Sequence, residues 1–480
     1  MRIERGSRAS SLVWLVAGLA ASLSARGEDF YRGLQTPHTD WALFADVGHT
    51  DNATLLPNGP SDTIVTAGLD TSLYRDTGRL KADVAASAYW EDYLNGTFKD
   101  HVLGHLVGLV SYAFVPERFI WVVEDTYGQL NANPLLPTTP ENRLNANVVT
   151  TGPDLYLHLS GDTELQLGAR YSQSNFQQVG NANPDDQRLM GHLGLVQHLS
   201  QSTALSLNGA ASQIQSQFTG QPTYDEYEAY GRYAHEDTRS GLALDAGASE
   251  IRQAHSVEHA PLLRLTLYRR LTPYWNVNLS AGSLFENSAY AFQSALGGTQ
   301  VVNGQVVPTA PGATGPGTAG AGTADVIVSH SAFRAETARI GVEFVTPRTR
   351  FDINGGIERD RFQFGASDLD RDVISGGGSF SRYLRRAVAV RLAATYERRA
   401  PLATLPADRT LYGDLAVDWR FGPLLQATLA YHHEARSTEL GGFAYTENLI
   451  YLRLSYGPPK RSNSGHGPSS GAPGTQTTGP

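Results

Sequence analysis

Four histidines lie close enough in sequence to raise the question of a metal site. His101 and His105 occupy positions i and i+4 of one strand-like stretch, and His432 adjoins His433. Extended backbone rises about 3.3 Å per residue, so the first pair stands about 13 Å apart, too far to share one ion. The second pair points to opposite faces of its strand. Both pairs read as ordinary polar residues, and no metal site is expected. The strand-forming part of the chain has no Gly-x-Ser-x-Gly elbow, no His-Glu-x-x-His and no phosphate-binding glycine loop. Without a nucleophile held beside a base, or a nucleotide cradle, the expectation is a non-enzymatic protein with no cofactor.

The charges that strand alternation gathers on one side are more informative. They are Asp70, Lys81, Asp83, Glu91, Glu164, Arg170, Glu228, Arg232, Asp245, Arg264, Asp352, Glu358, Arg391, Glu397, Asp414, Asp418 and Arg420. Acids outnumber bases in this set, but not by enough to specify ion selectivity. A water-lined interior would use such groups in two compatible ways, as facing acid–base pairs across neighbouring strands and as the lining of a permeation path.

The elements that must position them are long strands. Between 79 and 92, Leu80, Ala82, Val84, Ala86, Ala88 and Trp90 alternate with Lys81, Asp83, Ser87, Tyr89 and Glu91. Between 163 and 175, Leu165, Leu167, Ala169 and Tyr171 alternate with Glu164, Gln166, Gly168, Arg170 and Ser172. Leu411 to Phe421 repeats the pattern, apolar against Tyr412, Asp414, Asp418 and Arg420. Each stretch is long enough to cross a bilayer as a tilted strand, which takes about 9–11 residues.

The connections separate a membrane barrel from a soluble sandwich. Short links such as Asp76-Thr77-Gly78, Ser160-Gly161-Asp162, Leu271-Thr272-Pro273 and Thr346-Pro347-Arg348 take turns with longer polar links at 131–145, 176–186, 215–224, 289–328, 400–408 and 437–444. Short periplasmic turns alternating with longer external loops are the habit of outer-membrane barrels. The fold class expected is therefore all-β: a transmembrane, antiparallel, up-and-down β-barrel of about twenty strands (roughly 18–22), with both termini periplasmic. An interior of that size holds water unless something fills it. The insertion 297–324 is rich in Gly, Ala, Thr and Pro and uncharged. It reads as a solvated surface loop, the alternative being an inward constriction.

Composition agrees. Charged residues make up 18% of the chain, hydrophobic residues 41%, and the mean hydropathy is -0.29. That is too few charges for an ordinary soluble domain and too polar for a helical membrane protein. There is no Cys, and 22 Tyr and 6 Trp stand against 2 Met, the aromatic bias of headgroup-level girdles. A net charge of -9 argues against a nucleic-acid partner. Arg2, Arg5 and Arg8 followed by the apolar run Leu12–Leu23 and small residues at Ser24, Ala25 and Gly27 read as a signal peptide over 1–27. The expected organisation continues with a short periplasmic segment at 28–40, the barrel at 41–456, and a disordered Gly/Pro/Ser/Thr-rich tail at 457–480. Residues 26–40 are too few for a plug domain, which argues against a plugged active transporter.

Several segments resemble bacterial outer-membrane barrels associated with the PEP-CTERM/exosortase and exopolysaccharide systems, part of the broader β-barrel porin class. The matching residues are His49-Thr50-Asp51-Asn52, Trp121 to Gln129 (WVVEDTYGQ), Pro140-Glu141-Asn142-Arg143, Thr151-Gly152-Pro153-Asp154, Leu165 to Tyr171 (LQLGARY) and the terminal Glu447-Asn448-Leu449. The resemblance spans about 41–456 and is most specific between 119 and 171. It implies a Gram-negative outer-membrane barrel linked to envelope or exopolysaccharide export, and it carries no catalytic residues.

The function expected is a porin-like barrel that passes solute or polymer, or that supports a surface-export system. The alternative is a surface receptor or adhesin acting through its external loops. The partners implied are outer-membrane lipid, the barrel assembly machinery and components of envelope or polysaccharide export.

Overall fold

The computed structural model describes residues 37–133, 136–177, 185–217, 223–254, 256–296, 299–302, 305–308, 323–324, 326–364, 366–401, 407–438 and 443–458. The predicted signal peptide, most of the segment after it and nearly all of the tail lie outside them. Within them the chain forms one antiparallel ladder of twenty long strands, each paired with the next and the last with the first. In chain order these are β1 (His38–Thr50), β2 (Asp62–Asp76), β3 (Leu80–Tyr93), β4 (His101–Val115), β5 (Phe119–Asn131), β6 (Arg143–His158), β7 (Thr163–Phe176), β8 (Asp186–Ser200), β9 (Thr203–Ser216) and β10 (Tyr224–Glu236). They continue as β11 (Ser240–Gln253), β12 (Ser256–Arg270), β13 (Trp275–Glu286), β14 (Phe333–Val345), β15 (Thr349–Phe362), β16 (Arg371–Arg385), β17 (Val388–Pro401), β18 (Asp408–Arg420), β19 (Leu425–Thr438) and β20 (Tyr445–Tyr456). The Gly-rich stretch 373–383, least regular in sequence, is a full strand in the ladder.

Closure follows from register. β1 pairs with β20 from Leu43↔Tyr456 to Thr50↔Leu449, so no strand edge is left along that seam. Period-two geometry then gives the wall two faces. On β1, His38, Asp40, Ala42, Phe44, Asp46, Gly48 and Thr50 share the inner face, while Trp41, Leu43 and Val47 are exposed on the outer one. Following the pairing around the barrel keeps the phase, and the outer face carries an exposed band that includes Leu69, Trp121, Leu193, Leu207, Ile353, Leu415 and Leu452. Exposed apolar side chains in a continuous belt are stable only against lipid.

The two ends of the barrel differ. At one end, which also bears both termini, nine tight turns join the strands. At Asp76-Thr77-Gly78-Arg79, Gly78 takes φ +70°, a left-handed conformation that costs a residue without Cβ nothing. At the other end lie the longer links, with one exception, the abrupt β11–β12 connection at Ala254.

The loop end is also where the ladder gives way. β4 and β5 pair only from Leu106↔Tyr127 downward, leaving 101–105 and 128–131 unpaired with each other. Gln129 Nε2 spans that gap to the Gly104 carbonyl (3.0 Å), and Thr323–Ala324, from the long β13–β14 connection, pairs in parallel with Gln129–Leu130. β12 and β13 likewise part beyond Leu263↔Ser283. Pro261, which has no N–H to donate, sits two residues further on.

One expectation is corrected here. The link 289–328, read as a longer external connection, packs inward at its two flanks, while the reading of 297–324 as a solvated loop falls almost wholly outside the described residues. Ser288–Ala295 forms a helix, α1, capped by Asn287, whose Oδ1 accepts from Tyr290 N at 2.9 Å. Ala289, Phe292 and Val326 pack on the inner-face residues Leu130, Leu144, Ala146, Val148 and Phe176 of β5–β7. The physical reason is area: Phe292 is 0% exposed, and full burial of such a side chain is worth about 1.5–3 kcal/mol. The segment also carries a hairpin, Thr299–Val302 with Gln305–Pro308; the rest of 297–324 lies outside the described residues.

Candidate functional site

The concave surface in a barrel is its interior, and the register shows which side chains line it. All seventeen charges singled out in the sequence fall on the phase that includes Phe44, Thr66, Glu91 and Asp154. Around the wall they form local acid–base groups rather than isolated charges. Glu91 receives His101 Nε2 at 3.1 Å and Arg143 at 3.4 Å, and Glu164 faces His158 at 3.1 Å. Arg170, 2% exposed, bonds Asp154 at 2.7 Å and donates to the Pro153 carbonyl at 3.0 Å. Asp245 lies between Arg232 (3.3 Å) and Arg264 (3.1 Å); the Arg264 guanidinium also approaches Glu228 (3.7 Å) and stacks 4.8 Å over the Tyr230 ring.

On the next part of the wall, Glu358 meets Arg339 (3.0 Å) and Arg371 (3.4 Å), and Asp352 accepts from the Ser379 hydroxyl. Arg391 grips Asp418 with two nitrogens (2.8 and 3.0 Å), Glu397 pairs with Arg399 (2.5 Å), and Asp414 pairs with His432 (2.8 Å). Lys81 lies 3.9 Å from Asp76 near the turn end. Asp70, Asp83 and Arg420 line the same face opposite Ser87, Tyr74 and Gln426. Where such pairs form, they keep charge inside a wall of lipid-facing carbon, because the buried ion has a partner at hydrogen-bond range.

The inner face holds further ionisable groups that were not singled out: Asp46, Glu124, Asp154, Arg188, Glu226, Glu286, Asp360, Arg371, Asp408, Glu434, Arg436, Glu447 and Arg453. The same alternation signals them. Arg453, for example, binds Asp46 across the β20–β1 seam (2.6 Å). Arg143 carried no such signal. It lies on the opposite phase at the head of β6 and reaches Glu91 only because β4 stops pairing with β5 just there.

Two groups of sequence motifs meet in space. Thr50 donates to Glu447 Oε1 (2.6 Å), and Asp51 accepts from both the backbone N–H and the side-chain amide of Asn448 (2.7 Å each). Asn52 Nδ2 reaches the Thr446 carbonyl at 3.0 Å. The first and last of the quoted segments therefore lock the closing seam at the loop end. The other group, around Glu124, Asp154 and Arg170, builds the inner wall of β5–β7. His432 and His433 diverge as their adjacency requires: His432 bonds Asp414, while His433 turns to Asn448 Oδ1 (2.9 Å).

The mouth above this wall is narrowed from two sides. Further round the wall from the α1 contact, Phe285 of β13 is on the outward phase yet 5% exposed, packed on Ile214, Tyr224, Ile251 and Ala260, which are inner-face residues of β9–β12. The tip of β13 must therefore lie inside that wall, which is the consequence of its parting from β12. Phe333 and Phe362 (ring centroids 4.9 Å apart) pack with Ala335, with Ala291 of α1 and with Ile327. Polar bonds fix the assembly: Asn287 Nδ2 reaches Asp186 (3.3 Å), and Ser329 N donates to Ser288 Oγ (2.9 Å). Arg188 joins Glu226 (2.7 Å) just below. His330, in the segment leading to β14, has its imidazole pKa pushed down by burial, although Asp185 pulls it up, so the neutral ring is favoured.

Solved structures of outer-membrane proteins overlay the chain over most of its length at low scores. The chain overlays the FrpB iron transporter from Neisseria meningitidis with a TM-score of 0.42 and 9% identity, covering 88% of this chain and 82% of that one. The siderophore receptor PirA from Acinetobacter baumannii gives 0.43 and 7%, covering 88% and 81%. OccK2 from Pseudomonas aeruginosa gives 0.38 and 10%, covering 87% and 98%. No protein-family model matches the sequence, and no curated protein matches it.

Proposed function

We propose that this protein is an outer-membrane channel of porin type, with its turn end and both termini in the periplasm, and with a mouth set by the inward-folded β13–β14 connection. The observation that carries the reading is the combination of a closed wall, charged inside and apolar outside, with a loop packed against its inner face. A wall of this kind conducts hydrophilic solutes. The inserted loop restricts what enters and places Arg188, Glu226 and Arg264 beside the narrowed path. Small polar or charged solutes fit this arrangement better than a wide polymer. A role beside exopolysaccharide export rests on the resemblance of 119–171 to barrels of that association, and neighbouring polysaccharide-export genes would support it.

Purified barrel in planar bilayers tests the channel reading. The wild-type protein is expected to open discrete, low-conductance channels. Replacing residues 287–332 by a short Gly-Ser turn between β13 and β14 is expected to raise the unit conductance severalfold. A folded barrel that stays electrically silent in both forms would exclude a channel.

A further inference from the structure

We propose that the inner wall at β19 and β20 holds a divalent transition-metal cation, ligated by His432 Nε2 and one carboxylate oxygen each from Glu434 and Glu447. The three donor atoms already lie within 4.8 Å of one another. Ligand distances of about 2.0–2.2 Å put donors roughly 3–4 Å apart, so small side-chain rotations close the set on an ion.

Each ligand is held by its other end. His432 bonds Asp414 through Nδ1 (2.8 Å); a carboxylate only accepts there, so Nδ1 keeps its proton, and an ion that displaces the proton from Nε2 takes up that nitrogen's lone pair. Nε2 stands 3.8 Å from Glu434 Oε2, beyond hydrogen-bond range, although the ring is only 7% exposed. Glu434 Oε1 accepts from the Tyr445 hydroxyl (2.5 Å), and Glu447 Oε1 accepts from Thr50 (2.6 Å). One oxygen of each carboxylate is thereby positioned by a hydroxyl, and the other is available.

The charge arrangement points the same way. Glu434 and Glu447 are direct cross-strand partners, and like charges placed opposite each other destabilise a sheet. Asp414 adds a third acid beside them. Arg436, next along this face, is committed to Asp408 at 2.5 Å. A bound cation would balance the three acids.

The donor set of one imidazole nitrogen and two carboxylate oxygens selects among ions. It lacks the thiolates that favour Cu(I) and the all-oxygen shell preferred by Ca²⁺ and Mg²⁺, and it suits Zn²⁺ or Mn²⁺ with water completing the shell. Because Thr50 belongs to β1, the ion would also brace the β20–β1 closure. This goes beyond the channel reading and is measured without any conductance, so either can fail alone.

The test titrates chelator-treated, detergent-folded full-length barrel with ZnCl₂ by calorimetry, with CaCl₂ in parallel and Mn²⁺ followed by paramagnetic resonance. One Zn²⁺ per barrel is expected, with a rise in the temperature at which the barrel loses its compact gel mobility. Glu447→Gln and His432→Asn should each weaken Zn²⁺ at least tenfold. Asp414→Asn, which touches only the far side of the imidazole, should weaken it about 10–100-fold. Compact gel mobility of each variant at room temperature shows that it has folded. Absence of stoichiometric Zn²⁺ binding, binding unchanged in the folded variants, or Ca²⁺ binding as tightly as Zn²⁺ would overturn the proposal, and the first would leave His432 as an imidazolium between Asp414 and Glu434.

Discussion

The two ends of this barrel are built from the same kind of strand but solve different problems. At the turn end every neighbour pair runs to the tight link that joins it, with single-residue register shifts beside the β4–β5, β8–β9 and β16–β17 links that do not part the strands. At the loop end two seams, β4–β5 and β12–β13, open above Leu106↔Tyr127 and Leu263↔Ser283. A foreign segment fills the first, and at the second the tip of β13 passes to the inside. Backbone groups released from a ladder must find other partners. Gln129 and Thr323–Ala324 supply them at one seam. The difference shows that closure and constriction are separable in one molecule. The turn end and the mid-wall pairs hold the cylinder, while the irregular pairing at the other end lets the chain enter it.

Breaking the wall should have the larger effect. Arg170 and Asp154 form a buried pair 2.7 Å apart, and removing one partner strands the other. Arg170→Ala should cost about 3–5 kcal/mol, read as a lowered midpoint in urea-driven unfolding from micelles. A midpoint unchanged within error would mean that lumen water solvates Asp154 and that the wall does not depend on the pair.

Breaking the constriction should leave the wall alone. Phe292→Ala removes the side chain that seats α1 against Phe176, 6.2 Å between ring centroids. A cost of about 3 kcal/mol would lower the docked fraction relative to undocked by roughly a hundredfold. The expected readout is protease cleavage within the β13–β14 connection and noisier, larger channel openings, with the unfolding midpoint of the barrel unmoved. Cleavage no faster than in wild type would show that the polar bonds of Asn287 and Ser288 suffice to hold the loop.

The smallest effect belongs to the turn end. Asp237 bridges the β10–β11 turn, accepting from the N–H groups of Arg239 (2.6 Å) and Ser240 (2.7 Å), and these bonds lower its pKa to about 2. The folded value lies below the ordinary carboxylate value, so the turn's contribution is complete above about pH 4 and is lost as pH falls through about 2. Asp237→Asn should be slightly less stable than wild type at pH 7, with the difference vanishing near pH 2. A difference independent of pH would assign the effect to turn geometry instead of charge.

Much of this was legible in the sequence because its signals are local. The alternation from Leu165 to Tyr171 places Arg170 inside with no knowledge of Asp154, and Asp76-Thr77-Gly78 announces a tight turn by itself. Helix α1 was not legible: eight residues with Ala289 and Phe292 as its buried apolar anchors, followed by a bland insertion, resemble any polar loop until an inner wall offers Phe176 and Leu130 to cover them. Phe285 was misleading, since its phase points outward and only the displacement of β13 buries it.

The amino-acid order thus determined which side of the strands faces carbon and which faces water along the regular wall, where the chain turns, and that the strands are long enough to span a bilayer. Those are consequences of a two-residue period and of short-range turn chemistry. Tertiary structure alone decided the register at which β1 meets β20, that the flanks of one loop fold into the mouth, and that Thr50, His432, Glu434 and Glu447 converge. Contacts between residues about 400 positions apart, such as Thr50 with Glu447, depend on the register accumulated over all twenty strands, and no local pattern carries that sum.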